Sequence, residues 1–296
     1  MILPVCYSST VPVARSGEKL VWANGVELCL ETFGAPADPA VLLMAGSTSS
    51  MDWWENGLCA RIAAGLRFVI RYDQRDTGRS VTYPAGRPGY AGADLVADAA
   101  GVLDAYGIAA THVVGVSAGG ALAQVLAVDD PGRVLSLVLI STSFVAGDDR
   151  APLPGPTEEL TRFWGTPMPD SADRDAALHH LVAYQRLLTG GRRPFDDAFA
   201  RDLVRRDMER ARSHPSAGNH ELIEGAAPRE PVSAISAPTL VVHGTADPLF
   251  PVEHGEALAT AIPGARLLLL DGAGHGVEPA DFETIAAAIA EHTADL

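Results

Sequence analysis

Thr111-His112-Val113-Val114-Gly115-Val116-Ser117-Ala118-Gly119-Gly120 is the stretch that decides how this chain is read. An apolar run ends in Gly115-Val116-Ser117-Ala118-Gly119, and a helix-like segment starts at once. Strand, sharp turn and helix around Gly-x-Ser-x-Gly form the setting of a nucleophile elbow. Such a turn strains the serine backbone and lifts its hydroxyl out at the carboxyl edge of a sheet. Small residues at positions 115, 119 and 120 let strand and helix approach closely enough for it. A serine hydroxyl is a weak nucleophile at neutral pH; it needs a base, and the base needs an orienting group.

Both are found downstream. Pro238 to Gly244 reads as a buried strand, and Thr245-Ala246-Asp247-Pro248 leaves its carboxyl end. Ala265 to Leu270 reads as a further buried strand, followed by Asp271-Gly272-Ala273-Gly274-His275-Gly276. Ser117, Asp247 and His275 therefore share one sheet edge, in the order Ser, Asp, His expected of a hydrolase with a parallel sheet. His243 precedes Asp247 and competes as base, but it sits at a strand end and not in the last long loop, so His275 is preferred. An oxyanion hole is expected from the N–H of Ala118 and from Gly46 or Ser47, in the loop after the strand Ala40 to Met44.

The chain resembles the α/β-hydrolases over nearly its whole length. Arg71-Tyr72-Asp73-Gln74-Arg75-Asp76-Thr77-Gly78-Arg79-Ser80, the stretch from Phe33 to Ala40, and Pro194-Phe195-Asp196-Asp197 are similar to the corresponding pieces of actinomycete anthracycline methylesterases. It departs from that family at Ala118, where the methylesterase has methionine, at Ala45-Gly46-Ser47, where the family has Gly-Gly-Asn, and in a longer amino terminus. The resemblance implies a serine esterase with Ser117 as nucleophile, His275 as base and Asp247 as orienter. It points to the methyl ester of a polycyclic aromatic polyketide as substrate. The changes beside the reacting carbon leave open perhydrolysis, C–C cleavage, elimination or cyclisation at the same triad. A ligand-binding protein on the same scaffold needs none of the three residues.

Buried strands recur at Ala40 to Met44, Phe68 to Tyr72, His112 to Val116, Leu135 to Ile140, Thr239 to Val242 and Arg266 to Leu270. Two short strands, Leu20 to Ala23 and Glu27 to Thr32, flank Asn24-Gly25, a hairpin signal. Helical segments alternate near 55–64, 92–106, 118–128, 253–261 and 280–292. The pattern predicts an α/β fold: a mostly parallel eight-stranded sheet with helices on both faces. The alternation breaks at 144–231, where helix-like pieces run near 157–164, 173–188, 196–212 and 217–225. That stretch is expected to be a helical cap inserted after the sixth strand, with 1–143 and 232–296 forming the core. Residues 1–17 read as a loosely ordered arm.

Cap and loop aromatics are candidates for a substrate pocket: Trp53 and Trp54 after the oxyanion loop, and Phe163, Trp164 and Tyr184 on the cap. Asp73 and Arg75 are expected to brace loops at the sheet edge. His179-His180, His214 and His220 lack metal spacing and read as cap-surface or pocket residues. No metal site and no cofactor are expected, because there is no dinucleotide fingerprint, phosphate loop or metal cluster.

The net charge of −15 disfavours nucleic acid and anionic membranes as partners, leaving a small-molecule substrate. An apolar content of 47% in 296 residues supports a sizeable core. Of three cysteines, Cys29 and Cys59 lie in apolar segments and read as inert; Leu3-Pro4-Val5-Cys6 is only a faint lipid-attachment signal, without a basic leader or apolar stretch before it. With no apolar run of about 18 residues, a cytoplasmic enzyme is expected.

Overall fold

The computed structural model describes residues 13–145, 152–170 and 172–294. Its eight strands are β1 (Lys19–Ala23), β2 (Val26–Phe33), β3 (Ala40–Met44), β4 (Phe68–Tyr72), β5 (Thr111–Val116), β6 (Val134–Ile140), β7 (Thr239–Gly244) and β8 (Arg266–Leu270). They form one sheet in the order β1-β2-β4-β3-β5-β6-β7-β8. β1 and β2 pair antiparallel with their neighbours, and all pairings from β4 to β8 are parallel. The hairpin turn has Asn24 at φ 46° and Gly25 at φ 74°. Positive φ at both central residues matches the right-handed twist of the strands it joins.

Alternation along each central strand builds two apolar layers. Leu42, Met44, Val113 and Leu137 face α2 (Gly92–Ala105), α3 (Ala118–Asp129) and α7 (Glu253–Ala261). Val41, Leu43, Val114 and Val138 face α1 (Asn56–Ala64) and α8 (Phe282–His292). Burial on both faces explains why these strands read as unbroken apolar runs.

The expectations for β8 and for the arm need correction. β8 is not a fully buried strand: Leu267 and Leu269 are 37% and 42% exposed, and Arg266 points to solvent to pair with Glu291. It ends the sheet, and an apolar run cannot report whether a neighbour lies beyond it. The arm is docked where it is described: Ala14 O accepts from Gly34 N, Ser16 N donates to Thr32 O, and Arg15 pairs with Glu31. Residues 1–12, with Cys6, lie outside the described residues. Cys29 and Cys59 are buried and free, and burial pushes both thiols up to about 12, which makes them inert.

Between β6 and β7 lie α4 (Glu158–Trp164), α5 (Arg174–Leu188) and α6 (Asp197–Arg210). Each starts on a side-chain cap: Thr157, Asp173 and Asp196 accept from the N–H three residues on. The fourth expected helix is a 3₁₀ segment, His214–Glu221, with Pro215 in its first turn. This insert stands on the loops after β3 and β4. Arg210 forks onto Asp73 at 2.9 and 2.6 Å, Ser50 donates to Asp207, and Arg206 pairs with Glu55. Asp73 also accepts from Met51 N and Arg79 N, and Arg75 forks onto Asp98, so both residues brace the sheet edge. Among the described residues no helix is long and apolar enough to cross a membrane.

Candidate active site

Ser117 joins β5 to α3 at φ 53°, ψ −122°, a conformation that L residues rarely adopt. The surroundings over-determine it. Ser117 N donates to Ile140 O at 2.9 Å, and the Thr142 hydroxyl donates to Ser117 O at 2.7 Å. A Cβ on Gly119 would lie 2.3 Å from Met44 O, and one on Gly115 would lie 2.4 Å from Gly119 O. Glycine is therefore required on both sides of the serine for the turn to close against β3.

From that turn a hydrogen-bonded chain runs back into the protein. Ser117 Oγ lies 3.0 Å from His275 Nε2, and His275 Nδ1 lies 2.8 Å from Asp247 Oδ2. The other oxygen of Asp247 accepts from the N–H groups of Leu249 and Phe250 at 2.9 and 2.8 Å. An ionised carboxylate has no proton to donate, so beside one Nδ1 of His275 is the donor and Nε2 faces the serine hydroxyl as acceptor. The three residues singled out in the sequence are thus brought together.

His243 Nε2 lies 3.6 Å from Asp247 Oδ2, beyond hydrogen-bond distance, and points elsewhere. The residue is fully buried, its Nε2 donates to Phe250 O at 2.8 Å, and desolvation lowers its pKa. It supports the Asp247 loop from behind. Asp271, another carboxylate near the last loop, lies 3.5 Å from the Thr245 hydroxyl and has no contact with His275.

Gly46 stands beside the nucleophile: a Cβ built on it would be 3.4 Å from Ser117 Cβ and 3.9 Å from its Oγ. Gln74 holds the preceding carbonyl, donating to Ala45 O at 2.7 Å. Ala118 opens α3 directly after the serine. Backbone donors at a helix N-terminus and in a fixed loop suit an anionic oxygen.

Ser117 and His275 open into a cavity of about 300 Å³ between the sheet edge and the insert. Trp53 and Trp54 lie in its wall, though Trp54 is 1% exposed and belongs mainly to the core. Phe163, Trp164 and Tyr184 are not in that wall. Phe163 stacks on Tyr184 at 5.7 Å and packs on His180, and Trp164 is 48% exposed. The insert instead supplies Leu188, Phe195, Phe199 and Leu203. Phe195 lies within Pro194-Phe195-Asp196-Asp197, a stretch already notable in the sequence; which face of α6 turns inward depends on the Asp207 and Arg210 contacts.

The family described as alpha/beta hydrolase fold matches residues 39–277. Rhodomycin D methylesterases of a Streptomyces species and of Streptomyces peucetius are each 34% identical, over 93% of this chain and 97% of theirs. A meta-cleavage product hydrolase from Pseudomonas fluorescens superposes with a TM-score of 0.74 at 21% identity, over 94% of this chain and 97% of the other. An esterase from Exiguobacterium antarcticum also reaches 0.74, at 20% identity, over 93% and 98%. With the elbow, the strand order and the matched length in agreement, the chain belongs to the α/β-hydrolase family.

Proposed function

We propose that this protein is a carboxylic-ester hydrolase working through an acyl-enzyme on Ser117. The observation that carries the reading is the Ser117–His275–Asp247 chain, which ends at the floor of a partly enclosed cavity. Ser117 Oγ attacks the ester carbonyl while its proton passes to His275 Nε2. The N–H groups of Ala118 and Gly46 hold the oxyanion, typically worth about 10²–10³ in rate per donor. His275 then protonates the departing alcohol, and Asp247 stabilises the imidazolium in between. Water, deprotonated by the same histidine, releases the acid and restores the serine. Residues 144–231 act as a cap that shapes the pocket.

The methylesterase relatives and the apolar wall favour the methyl ester of a polycyclic aromatic polyketide as substrate. The test is methanol release from an anthracycline carboxylic methyl ester, with a short-chain aryl acetate alongside. Release abolished by Ser117→Ala supports the reading. Turnover of the acetate alone removes the polyketide substrate but keeps the esterase. Turnover of neither, or activity that survives Ser117→Ala, removes the acyl-enzyme.

A further inference from the structure

The loop that carries Gly46 is held in a costly shape. Ser49 N donates to Gly46 O at 3.3 Å, closing a turn, and Thr48 within it has φ 60°. A β-branched residue avoids that left-handed region unless something outside the turn compensates. The compensation comes from the insert. Thr48 N donates to His220 Nδ1 at 3.0 Å, and His220 Nε2 donates to Arg75 O at 2.8 Å. One imidazole thus bridges the loop after β3 and the loop after β4, with one nitrogen accepting and the other donating.

His220 is itself placed by its neighbours. Asn219, fully buried, donates to Asp76 at 2.8 Å and accepts from Gly86 N at 2.8 Å. Tyr90 sets its ring edge-on to the imidazole at 6.3 Å and donates its hydroxyl to Asp76 at 2.8 Å. Glu221 accepts from the Ser47 hydroxyl, so a second residue of the 3₁₀ segment grips the same turn. Accepting from Thr48 N requires an unprotonated Nδ1, and burial lowers the pKa of His220 against the opposing influence of the Arg75 carbonyl, Asp76 and Glu221.

We propose that His220 is a positioning residue for the oxyanion hole: its neutral imidazole clamps the Gly46–Ser49 turn from the cap side and so aims the Gly46 N–H at the developing oxyanion. The inference rests on the esterase reading for its chemistry, but the clamp can be read out without any substrate.

His220→Leu removes both hydrogen bonds at similar bulk. His220→Gln keeps one acceptor and one donor on a planar end and can reproduce the bridge. Amide hydrogen exchange of the 46–49 turn should accelerate about tenfold or more in His220→Leu, at unchanged global stability, and return toward wild type in His220→Gln. On an aryl acetate, kcat should fall roughly 10- to 100-fold in His220→Leu with KM within about threefold. Affinity for a trifluoromethyl ketone, whose adduct places an oxyanion in the hole, should fall by about the same factor as kcat/KM.

Unchanged turn exchange in His220→Leu overturns the clamp, whatever the activity. Faster exchange with wild-type kcat and ketone affinity overturns the link to the oxyanion. A loss that tracks a lowered melting temperature and is not rescued by His220→Gln means that the ring merely packs. If wild-type protein turns over no ester, the proposed function fails while the exchange comparison still decides the clamp.

Discussion

The main-chain N–H of His275 donates to the carbonyl of Leu188 at 2.7 Å. The proposed base is therefore hung from the last residue of α5, on the insert, and not only from the β8 loop that carries it. Next to it Gly274 allows a close approach: a Cβ there would lie 2.1 Å from Leu188 O and 2.4 Å from the carbonyl carbon of Thr189. Insert and base cannot move independently.

Gly274→Ala should accordingly cost activity out of proportion to stability. The clash is with backbone, so the end of α5 or the His275 loop must shift by an ångström or more. A displacement of about 1 Å at a catalytic group can cost on the order of 10² in rate. Steady-state kinetics and thermal unfolding measured side by side check this; wild-type kcat in a folded Gly274→Ala would show that the two elements do not constrain each other.

Ser117→Ala should abolish turnover, on the order of 10⁶ by analogy with another serine hydrolase. Ser117→Gly should be equally inactive but more stable than Ser117→Ala, by about 1 kcal/mol, because glycine adopts the φ of 53° at this position with less strain. Asp247→Asn should lose less, roughly 10⁴, since it disturbs the tautomer and charge of His275 while the bond-forming atoms stay. Denaturant midpoints and single-turnover rates of the three variants give the test. Equal stability of the alanine and glycine forms would remove the strain argument.

Much of this site was legible because its parts are local. Gly115 to Gly119 announces a turn whose crowding demands glycine, and Asp247 and His275 each follow a strand closely enough to inherit its edge. What escaped depended on long-range docking. Nothing near His220 in the chain indicates that it meets Thr48, 172 residues away. The exposure of Leu267 and Leu269 follows from β8 being the last strand of the sheet among the described residues. Phe163 and Tyr184 stack on each other across α4 and α5 and are not in the cavity wall, a pairing that chain position alone does not report.

Asp207, at that α6 contact, links pH to the seating of the insert. Burial, with Asp52 and Asp73 close by, raises its carboxyl to about 6. Its folded pKa then exceeds the unfolded value, near 3.9, so the native state binds the proton more tightly. Stability from this group is present below pH ~4 and is lost as pH rises through about 6. Asp207→Asn retains an acceptor for Ser50 and sheds the buried charge. Its stability relative to wild type should therefore improve between pH 4.5 and 8, by about 1–3 kcal/mol in urea unfolding. A difference that does not change with pH would mean that Asp207 is not ionised at a cost.

Selectivity should reside in Phe195 and Phe199, not in Phe163, Trp164 and Tyr184. Phe195 and Phe199 lie in the cavity wall with Trp53, and the Arg186 guanidinium sits 4.3 Å over the Phe195 ring, fixing its plane. A flat polycyclic substrate gains burial and offset stacking from such rings, each pair worth about 0.5–1.5 kcal/mol beyond area. A short aryl acetate occupies only the space near Ser117 and gains little from them. Phe199→Ala should therefore reduce kcat/KM for a polycyclic methyl ester roughly tenfold or more while changing the acetate by less than about threefold. Phe195→Ala should do the same, with some added loss of stability from freeing Arg186. Tyr184→Ala separates the two groups of aromatics: it removes a stacked partner of Phe163 outside the cavity wall, so any loss should appear on both substrates and follow the melting temperature. If Tyr184→Ala discriminates between the substrates and Phe199→Ala does not, the substrate is read by the outer face of the insert and the assignment of the pocket is wrong.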